Sequence, residues 1–341
     1  MQSPAGPSPF SGEEPGMKRT FTYKLNIFLF LLPALILFLG ILIAPIVMSA
    51  LYSVHDFNSI SDTNMKFVGL ENYITLFSRE MANPETGKVF ANDKFMGDAL
   101  VNSLLLAALS VFIQLPLALI IALKLSKGIR GSRAYLSVFF MPVLISTVII
   151  GRLWMNIYDP GKAGILNAAL RALGIDQWLF PRITARITSS KLAFTGQWTG
   201  FRETALGAAF VPILWQYVGY HMLLMYAGVM GVPAELLEAA ELDGCTEGQV
   251  NRHIIIPYIK PILKVCVIFA VTGSLKSFDL IYALMKDTTK AELPSTLMYK
   301  LLFLHNRYGL GSAIAVVLIV LCFLFALLIS LAFKDRGEKV A

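Results

Sequence analysis

The sequence has little charge and few cysteines. Only 15% of its 341 residues are Asp, Glu, Lys or Arg, and 56% are hydrophobic, whereas soluble domains contain about 25% charged residues. This composition excludes a soluble globular protein and a disordered chain. The three cysteines, Cys245, Cys266 and Cys322, are too few to build a disulfide framework.

The chain also lacks the patterns that indicate catalysis or metal binding. It contains neither a Gly-x-x-x-x-Gly-Lys-Ser/Thr nor a His-Glu-x-x-His sequence, and its four histidines lie far apart. We therefore expect no enzyme activity, no catalytic residue, no metal and no cofactor in this chain. The net charge of +7 does not indicate nucleic acid, because the basic residues are scattered between apolar runs.

Long apolar runs are what the sequence has instead. A membrane-spanning helix needs roughly 20 apolar residues, and six stretches approach or exceed that length. They predict an all-α polytopic membrane protein with six transmembrane helices. The predicted spans are Leu25–Val54, Ala99–Leu123, Ala134–Gly151, Thr204–Ala234, Val265–Leu284 and Tyr308–Phe333.

The distribution of Lys and Arg predicts the orientation of these spans. Four of the ten residues 124–133 are basic, which favours a cytoplasmic location for this loop and for both termini. The predicted organisation is a disordered cytoplasmic tail (1–20), a first span with an extracellular loop (21–98), a transmembrane core (99–333) and a cytoplasmic C-terminus (334–341).

Residues 233–261 predict a helix–glycine–helix elbow on the cytoplasmic face. Pro233 suits a first helical turn, and Ala234–Asp243 consists almost wholly of strong helix formers. Gly244 then supplies the left-handed residue that ends the helix. Thr246 and Gln249 have the spacing of a capping box, which predicts a second short helix.

Glutamates recur every third residue in the first elbow helix, at Glu235, Glu238 and Glu241. Such a line of like charges is unfavourable in isolation. A basic or polar partner that covers the helix would explain it, although an exposed amphipathic helix is the simpler interpretation.

At this point the chain resembles a known family. Glu238-Ala239-Ala240, Asp243-Gly244 and Ile254-x-x-Pro257 resemble the EAA signature of binding-protein-dependent ABC importer permeases, in particular the carbohydrate branch. Other segments similar to that branch are Phe67–Tyr73, Met141-Pro142, Trp154, Tyr158–Gly161, Trp215 and Phe278-Asp279.

The resemblance implies a type I ABC importer permease (MetI-like) fold in a bacterial cytoplasmic membrane. It implies a second homologous permease, more plausibly as a heterodimer, two ABC ATPase subunits that hold ATP and Mg, and an extracellular solute-binding protein. Bilayer lipid surrounds the spans, and the solute would be a sugar or oligosaccharide. The ATPase-coupling residues that it implies are Glu238, Ala239, Ala240, Asp243, Gly244 and Pro257.

Polar groups within the spans are candidates for the solute path, because a charge in the membrane persists only with a partner or a role. The fourth span offers Trp215, Gln216, Tyr220 and His221, which suit sugar rings but also suit simple packing. On the fifth span, Lys276 and Asp279 lie three residues apart and could instead pair with each other.

Several alternatives stay open at the level of sequence. Residues 152–203 carry a local charge of +4, which would attract an acidic oligosaccharide or dock an acidic patch of a binding protein. The stretch 177–202 is longer than the family suggests and predicts an extra extracellular element, and residues 285–290 replace a glycine-rich turn. Competing functions are an ion-coupled secondary transporter, a membrane scaffold and an amino-acid-type permease.

Overall fold

The computed structural model of the protein describes residues 21–57, 65–78, 80–82, 89–91, 96–161, 164–187, 193–285 and 291–334. The predicted tail 1–20, most of the predicted C-terminus 334–341 and the loop 286–290 lie outside these ranges. The described chain is dominated by helices. In chain order they are Phe21–Leu37, Phe38–Ile43 (π), Ala44–Ser53, Glu71–Phe77, Met96–Leu109, Ser110–Gln114 (π), Leu115–Leu125, Ser132–Leu144, Thr147–Ile157, Ile165–Ala172, Asp176–Arg186, Arg202–Met230, Ala234–Leu242, Glu247–Val250, Asn251–Ile255 (π), Ile256–Tyr258, Lys260–Leu275, Asp279–Met285, Pro294–Tyr299, Lys300–Leu304 (π) and Tyr308–Ala332.

Four continuous helical stretches are long and apolar enough to cross a membrane, and two bent helix pairs bring the number to six if each pair crosses once. The continuous ones are Ile27–Ser53, Met96–Leu125, Arg202–Met230 and Tyr308–Ala332. We call Arg202–Met230 the central helix. The predicted positions of the first, second, fourth and sixth spans are confirmed to within a few residues.

The third predicted span is not one straight helix. Ser132–Leu144 and Thr147–Ile157 meet at an angle of 95°, because Ile145 and Ser146 adopt extended backbone conformations with ψ of 138° and 130°. Pro142 lies in the last turn before this break and has no backbone N–H to donate there. The prediction of one uninterrupted helix over Ala134–Gly151 was therefore wrong.

The fifth predicted span, Val265–Leu284, is also interrupted. The helix Lys260–Leu275 is followed by its C-cap residue Lys276, and a new helix begins at Asp279. At its other end, Lys260–Leu275 follows Glu247–Tyr258 across a bend of 72°. Lys276 and Asp279 thus flank a break rather than share one helix.

The chain divides into two compact units, residues 1–49 and 50–341. In the described part of the first unit, most of the large apolar side chains are exposed, as expected for a span that faces lipid. In the second unit, 61% of the central helix's apolar window is buried, against 11% for Tyr308–Ala332. The central helix is therefore the most buried of the four continuous candidate spans.

The central helix packs against Leu115–Leu125 and Ser132–Leu144. Its contact with the second of these is very close at Gly219, where an added Cβ would lie 1.8 Å from the Phe139 carbonyl oxygen. Toward the elbow, Val218, Met222 and Met225 form a core with Ala118 and neighbouring apolar side chains. Because Gly219 has no side chain, the backbones of these two helices can contact each other directly.

The segment Phe67–Tyr73 is fastened to the end of the helix Ala44–Ser53 and to the strand that follows it. Two short strands, His55–Asp56 and Lys66–Phe67, pair antiparallel, and Gly69 turns the chain with a φ of +57°. The buried Asn72 amide donates to the carbonyl oxygens of Ser53 (2.8 Å) and His55 (2.9 Å). A second antiparallel pair joins Glu80–Ala82 and Val89–Ala91.

A helical element lies between the third span and the central helix and overlaps the stretch 177–202; that this stretch is extra to the family and extracellular stays a prediction. Ile165–Ala172 and Asp176–Arg186 form its helices. The buried Asn167 donates to the Asp159 (2.8 Å) and Gly196 (3.1 Å) carbonyl oxygens and accepts from Trp198 Nε1 at 2.9 Å. We call residues 164–187 with 193–201 the outer element.

A buried ion pair fixes the segment before the last span. Lys300 Nζ lies 2.9 Å from Glu292 Oε1, and the two side chains are only 11% and 12% exposed. Asn102 Nδ2 donates to the Glu292 carbonyl oxygen at 2.9 Å. These contacts hold Pro294–Leu304 against the second span.

Candidate functional site

The first elbow helix, Ala234–Leu242, begins and ends as its sequence predicts, except that Pro233 precedes the helix instead of lying in its first turn. Gly244 adopts a φ of +74°. Its N–H donates to the Glu241 carbonyl and the Cys245 N–H donates to the Ala240 carbonyl, both at 3.0 Å. This pair of bonds is the Schellman motif, which satisfies the last carbonyls of a helix by reversing the chain at glycine.

The second elbow helix is also capped as predicted. The Thr246 N–H donates to Gln249 Oε1 at 2.7 Å, which is the glutamine half of the capping box. Its first residue, Glu247, forms an ion pair with Lys127 from the loop that follows the second span. The two loops on this side of the molecule are therefore connected.

The base of the elbow is buried against the spans, whereas its tip is exposed. Leu237 packs on a cluster formed by Val229, Val232, Ile255 and Ile259. On the opposite face Glu235, Glu238, Ala239 and Leu242 are exposed, Leu242 to 90%, and Glu241 and Asp243 are exposed at the edges of that face. Within the described residues, no ion pair involves the three glutamates.

The predicted coupling residues share this face, with two exceptions. Ala240 is 5% exposed and points toward the spans. Pro257 is exposed and lies in the short helix Ile256–Tyr258 ahead of the bend into Lys260–Leu275. The elbow is thus an exposed acidic helix held on a buried apolar base.

A cavity of about 570 Å³ lies beside the central helix, between the second span and the break at 276–278. Its wall combines aromatic rings with hydroxyl, amide, imidazole and charged groups. The polar and aromatic lining residues are Ser110, Gln114, Thr147, Tyr217, Tyr220, His221, Phe269, Thr272, Ser274, Lys276, Ser277, Phe278 and Asp279.

Four of the six residues predicted for a solute path line this cavity: Tyr220, His221, Lys276 and Asp279. The other two do not. Trp215 packs edge-on against Trp154 with ring centroids 6.3 Å apart, and Gln216 is buried with its Nε2 3.5 Å from Thr147 Oγ1.

The two charged groups in the cavity wall do not neutralise each other directly. Lys276 and Asp279 are both exposed, and no ion pair between described residues joins them. The helix break between them separates groups that one continuous helix would have placed on the same face. The cavity therefore presents one cation and one anion.

Gln114 is one of the cavity residues that sequence reasoning missed. Its Nε2 lies 3.0 Å from His221 Nδ1, which also lies 3.0 Å from the Tyr217 carbonyl oxygen. Both side chains are almost fully buried, yet Gln114 Oε1 and His221 Nε2 have no hydrogen-bond partner among the described residues. An amide inside an apolar span was the available signal, because a buried polar group normally needs a partner.

Comparisons with known proteins agree with this architecture. Residues 114–337 match the family described as binding-protein-dependent transport system inner membrane component. The probable ABC transporter permease protein YurN of Bacillus subtilis is 32% identical over 93% of this chain and 98% of its own length. The diacetylchitobiose uptake system permease protein NgcF of Streptomyces coelicolor is 28% identical over 97% of this chain and 88% of its own length.

A solved structure shares the fold. One chain of a bacterial ABC transporter involved in the import of the acidic polysaccharide alginate superposes with a TM-score of 0.72 over 93% of this chain and 98% of its own length. The two sequences are 21% identical, so this likeness concerns the fold alone. It confirms the prediction of an ABC importer permease fold.

Proposed function

The chain belongs to the family of binding-protein-dependent transport system inner membrane components, and on that premise we propose that it forms, with a second permease subunit, the path of an ATP-driven sugar or oligosaccharide importer. Membership makes it a multi-pass membrane transport subunit and not an enzyme. An ion-coupled carrier is not favoured. The proposal places both termini and the elbow in the cytoplasm.

The elbow is the observation that carries this proposal. Two ATPase subunits would bind ATP and Mg, and one of them would receive the helix Ala234–Leu242 in a cleft, with Glu238 as the main polar contact. Because Leu237 packs into the cluster at the span ends, movement of the docked helix would reach the spans as a rigid-body shift rather than as local flexing.

The cavity supports a sugar as solute. Tyr217, Tyr220 and Phe278 offer aromatic faces, and Gln114 and His221 offer buried polar atoms without partners. Sugars need both, since their ring faces are apolar and their hydroxyls require hydrogen bonds. The name of the relative NgcF, a diacetylchitobiose permease, points to the same class of solute.

The outer element supports docking of a solute-binding protein. Arg171, Arg182 and Arg186 are exposed there, and the Arg182 guanidinium lies 5.1 Å from the centre of the Trp178 ring. An acidic patch on the binding protein would be attracted to this surface. The acidic oligosaccharide remains the alternative explanation for the local charge.

Purification from native membranes tests the proposal. We expect an ATPase and a second permease to accompany the chain, and one class in a panel of neutral and acidic oligosaccharides, with its binding protein, to raise ATP turnover. Glu238→Lys should lower that stimulated turnover by roughly tenfold or more, because like or unmatched charges at an interface cost several kcal/mol.

Glu71→Lys is the matched control, since Glu71 is also exposed but lies outside the elbow. It should leave stimulated turnover unchanged at equal expression. Purification without an ATPase, or normal uptake by the Glu238→Lys variant, would contradict the proposal and favour an ion-coupled carrier or a scaffold.

A further inference from the structure

A second cavity, of about 340 Å³, lies on the elbow side of the molecule between the start of Lys260–Leu275 and the end of the last span. We call it the lysine pocket. Three of its seven lining residues are lysines, and none is acidic. The lining residues are Lys260, Pro261, Lys264, Ser330, Leu331, Phe333 and Lys334.

The lysine pocket concentrates positive charge between two spans. Lys264 is half-buried in the second turn of its helix, and Lys334 is exposed just after the last span. No ion pair between described residues involves Lys264 or Lys334. An anion within the lysine pocket would be attracted by both side chains together.

The position of the lysine pocket favours an amphiphilic anion over a free ion as its ligand. The last span ends at Ala332, so the pocket lies where the hydrocarbon region gives way to headgroups. Pro261, Leu331 and Phe333 supply apolar surface beside the lysines. A pocket at the end of a span that combines cations with apolar surface fits a lipid better than a free ion.

We propose that the lysine pocket binds the phosphodiester headgroup of an anionic phospholipid, such as phosphatidylglycerol or cardiolipin. Lys264 and Lys334 contact the phosphate, the Ser330 hydroxyl can donate a further hydrogen bond, and the acyl chains lie along Leu331 and Phe333. The bound lipid joins the helix that continues from the elbow to the last span. This inference goes beyond the proposed transport function.

Native mass spectrometry of the purified transporter, extracted from vesicles that contain equal amounts of phosphatidylglycerol and phosphatidylcholine, tests the proposal. The wild-type complex should retain phosphatidylglycerol selectively. The double variant Lys264→Gln/Lys334→Gln should reduce this selective retention by roughly tenfold or more, because each lysine near an anionic headgroup adds to its binding.

Lys124→Gln/Arg130→Gln is the matched control, since it removes two exposed charges from the same side of the membrane but outside the lysine pocket. It should leave lipid retention unchanged. Equal losses in both double variants would reduce the effect to general surface charge and overturn the site. Displacement of the lipid by inorganic phosphate would identify a free-anion site instead.

Co-purification of the ATPase distinguishes this inference from the proposed function. Both double variants should still bring the ATPase with them, because none of the four residues lies on the first elbow helix. Deletion of residues 335–341 should leave retention unchanged. A gain of lipid only after that deletion would show that Asp335 or Glu338 occupies the pocket, and it would also overturn the proposal.

Discussion

Gly244 is required by its backbone conformation and not by lack of space. Its φ is +74°, and an added Cβ would meet no atom within 4 Å. Gly244→Ala should therefore destabilise the Schellman turn by roughly 1–2 kcal/mol through the left-handed conformation alone. We expect weaker solute-stimulated ATP hydrolysis by the assembled complex at unchanged membrane insertion.

Gly248, four residues further along the elbow, provides the control. An added Cβ there also meets no atom, but its φ is not positive, and alanine favours the helix in which it lies. Gly248→Ala should leave stimulated ATP hydrolysis at the wild-type level. Equal effects of the two substitutions would mean that the left-handed turn is not what couples the elbow.

Gln114 and His221 should contribute to solute recognition, because both residues line the cavity and each has a buried polar atom without a hydrogen-bond partner among the described residues. Gln114→Leu should raise the solute concentration for half-maximal ATPase stimulation by roughly 3–10-fold, the cost of one hydrogen bond. Gln216→Leu is a close control: Gln216 Oε1 is also buried without a partner, but the residue does not line the cavity. A change in that control equal to the change in Gln114→Leu would assign the effect to packing.

The sequence predicted the conformation of individual residues where that conformation depends only on neighbouring positions in the chain. Gly244 and the Thr246–Gln249 capping box follow from the preferences of short segments, and both are present. The cavity wall was only partly predicted, because its members come from different spans. Gln114 and His221 are 107 positions apart in the chain, and no local pattern indicates that they meet.

At the scale of the elements, hydropathy located the spans but not their shape. An apolar run has the same composition whether the helix is straight or bent. Apart from Pro142, the pattern therefore does not indicate the 95° bend after Leu144. The sequence also does not indicate the close approach at Gly219. A glycine within an apolar helix does not reveal which backbone it contacts.

Gly219→Ala should separate the central helix from Ser132–Leu144. The new Cβ would lie 1.8 Å from the Phe139 carbonyl oxygen and 2.4 Å from its carbon, and backbone atoms cannot rotate away as a side chain can. Overpacking of this kind costs roughly 1–3 kcal/mol or more. We expect the unfolding temperature of the purified complex in detergent to fall by several degrees.

Gly207→Ala is the control within the same helix, since an added Cβ at Gly207 meets no atom within 4 Å. This substitution should leave the unfolding temperature unchanged or raise it, because alanine is about 1 kcal/mol more favourable than glycine in a helix. A fall of the same size in both variants would show that the central helix does not depend on the approach at Gly219.

At the scale of the whole molecule, the two proposed docking surfaces lie at opposite ends of the central helix. The elbow, with the exposed Cys245 and the Lys127–Glu247 pair, follows the end of this helix, and the basic outer element precedes its start. The cavity lies along the central helix that joins them, and its Lys276 and Asp279 form no ion pair with other described residues. The proposed importer needs this separation, because its binding protein and its ATPase would act on opposite faces of the membrane.

The cysteines allow the orientation to be measured. Cys245 is exposed at the elbow, whereas Cys266 is buried and Cys322 is half-buried. A membrane-impermeant maleimide should therefore label Cys245 in inverted membrane vesicles and not in intact cells. A cysteine in place of Leu173, which is 72% exposed in the outer element, should show the opposite behaviour in a Cys245→Ser background.

Addition of the ATPase should protect Cys245 and leave the outer cysteine reactive, because only the elbow is expected to enter its cleft. Labelling of Cys245 from outside the cell would reverse the topology, and the acidic elbow helix would then face the solute-binding protein instead of the ATPase.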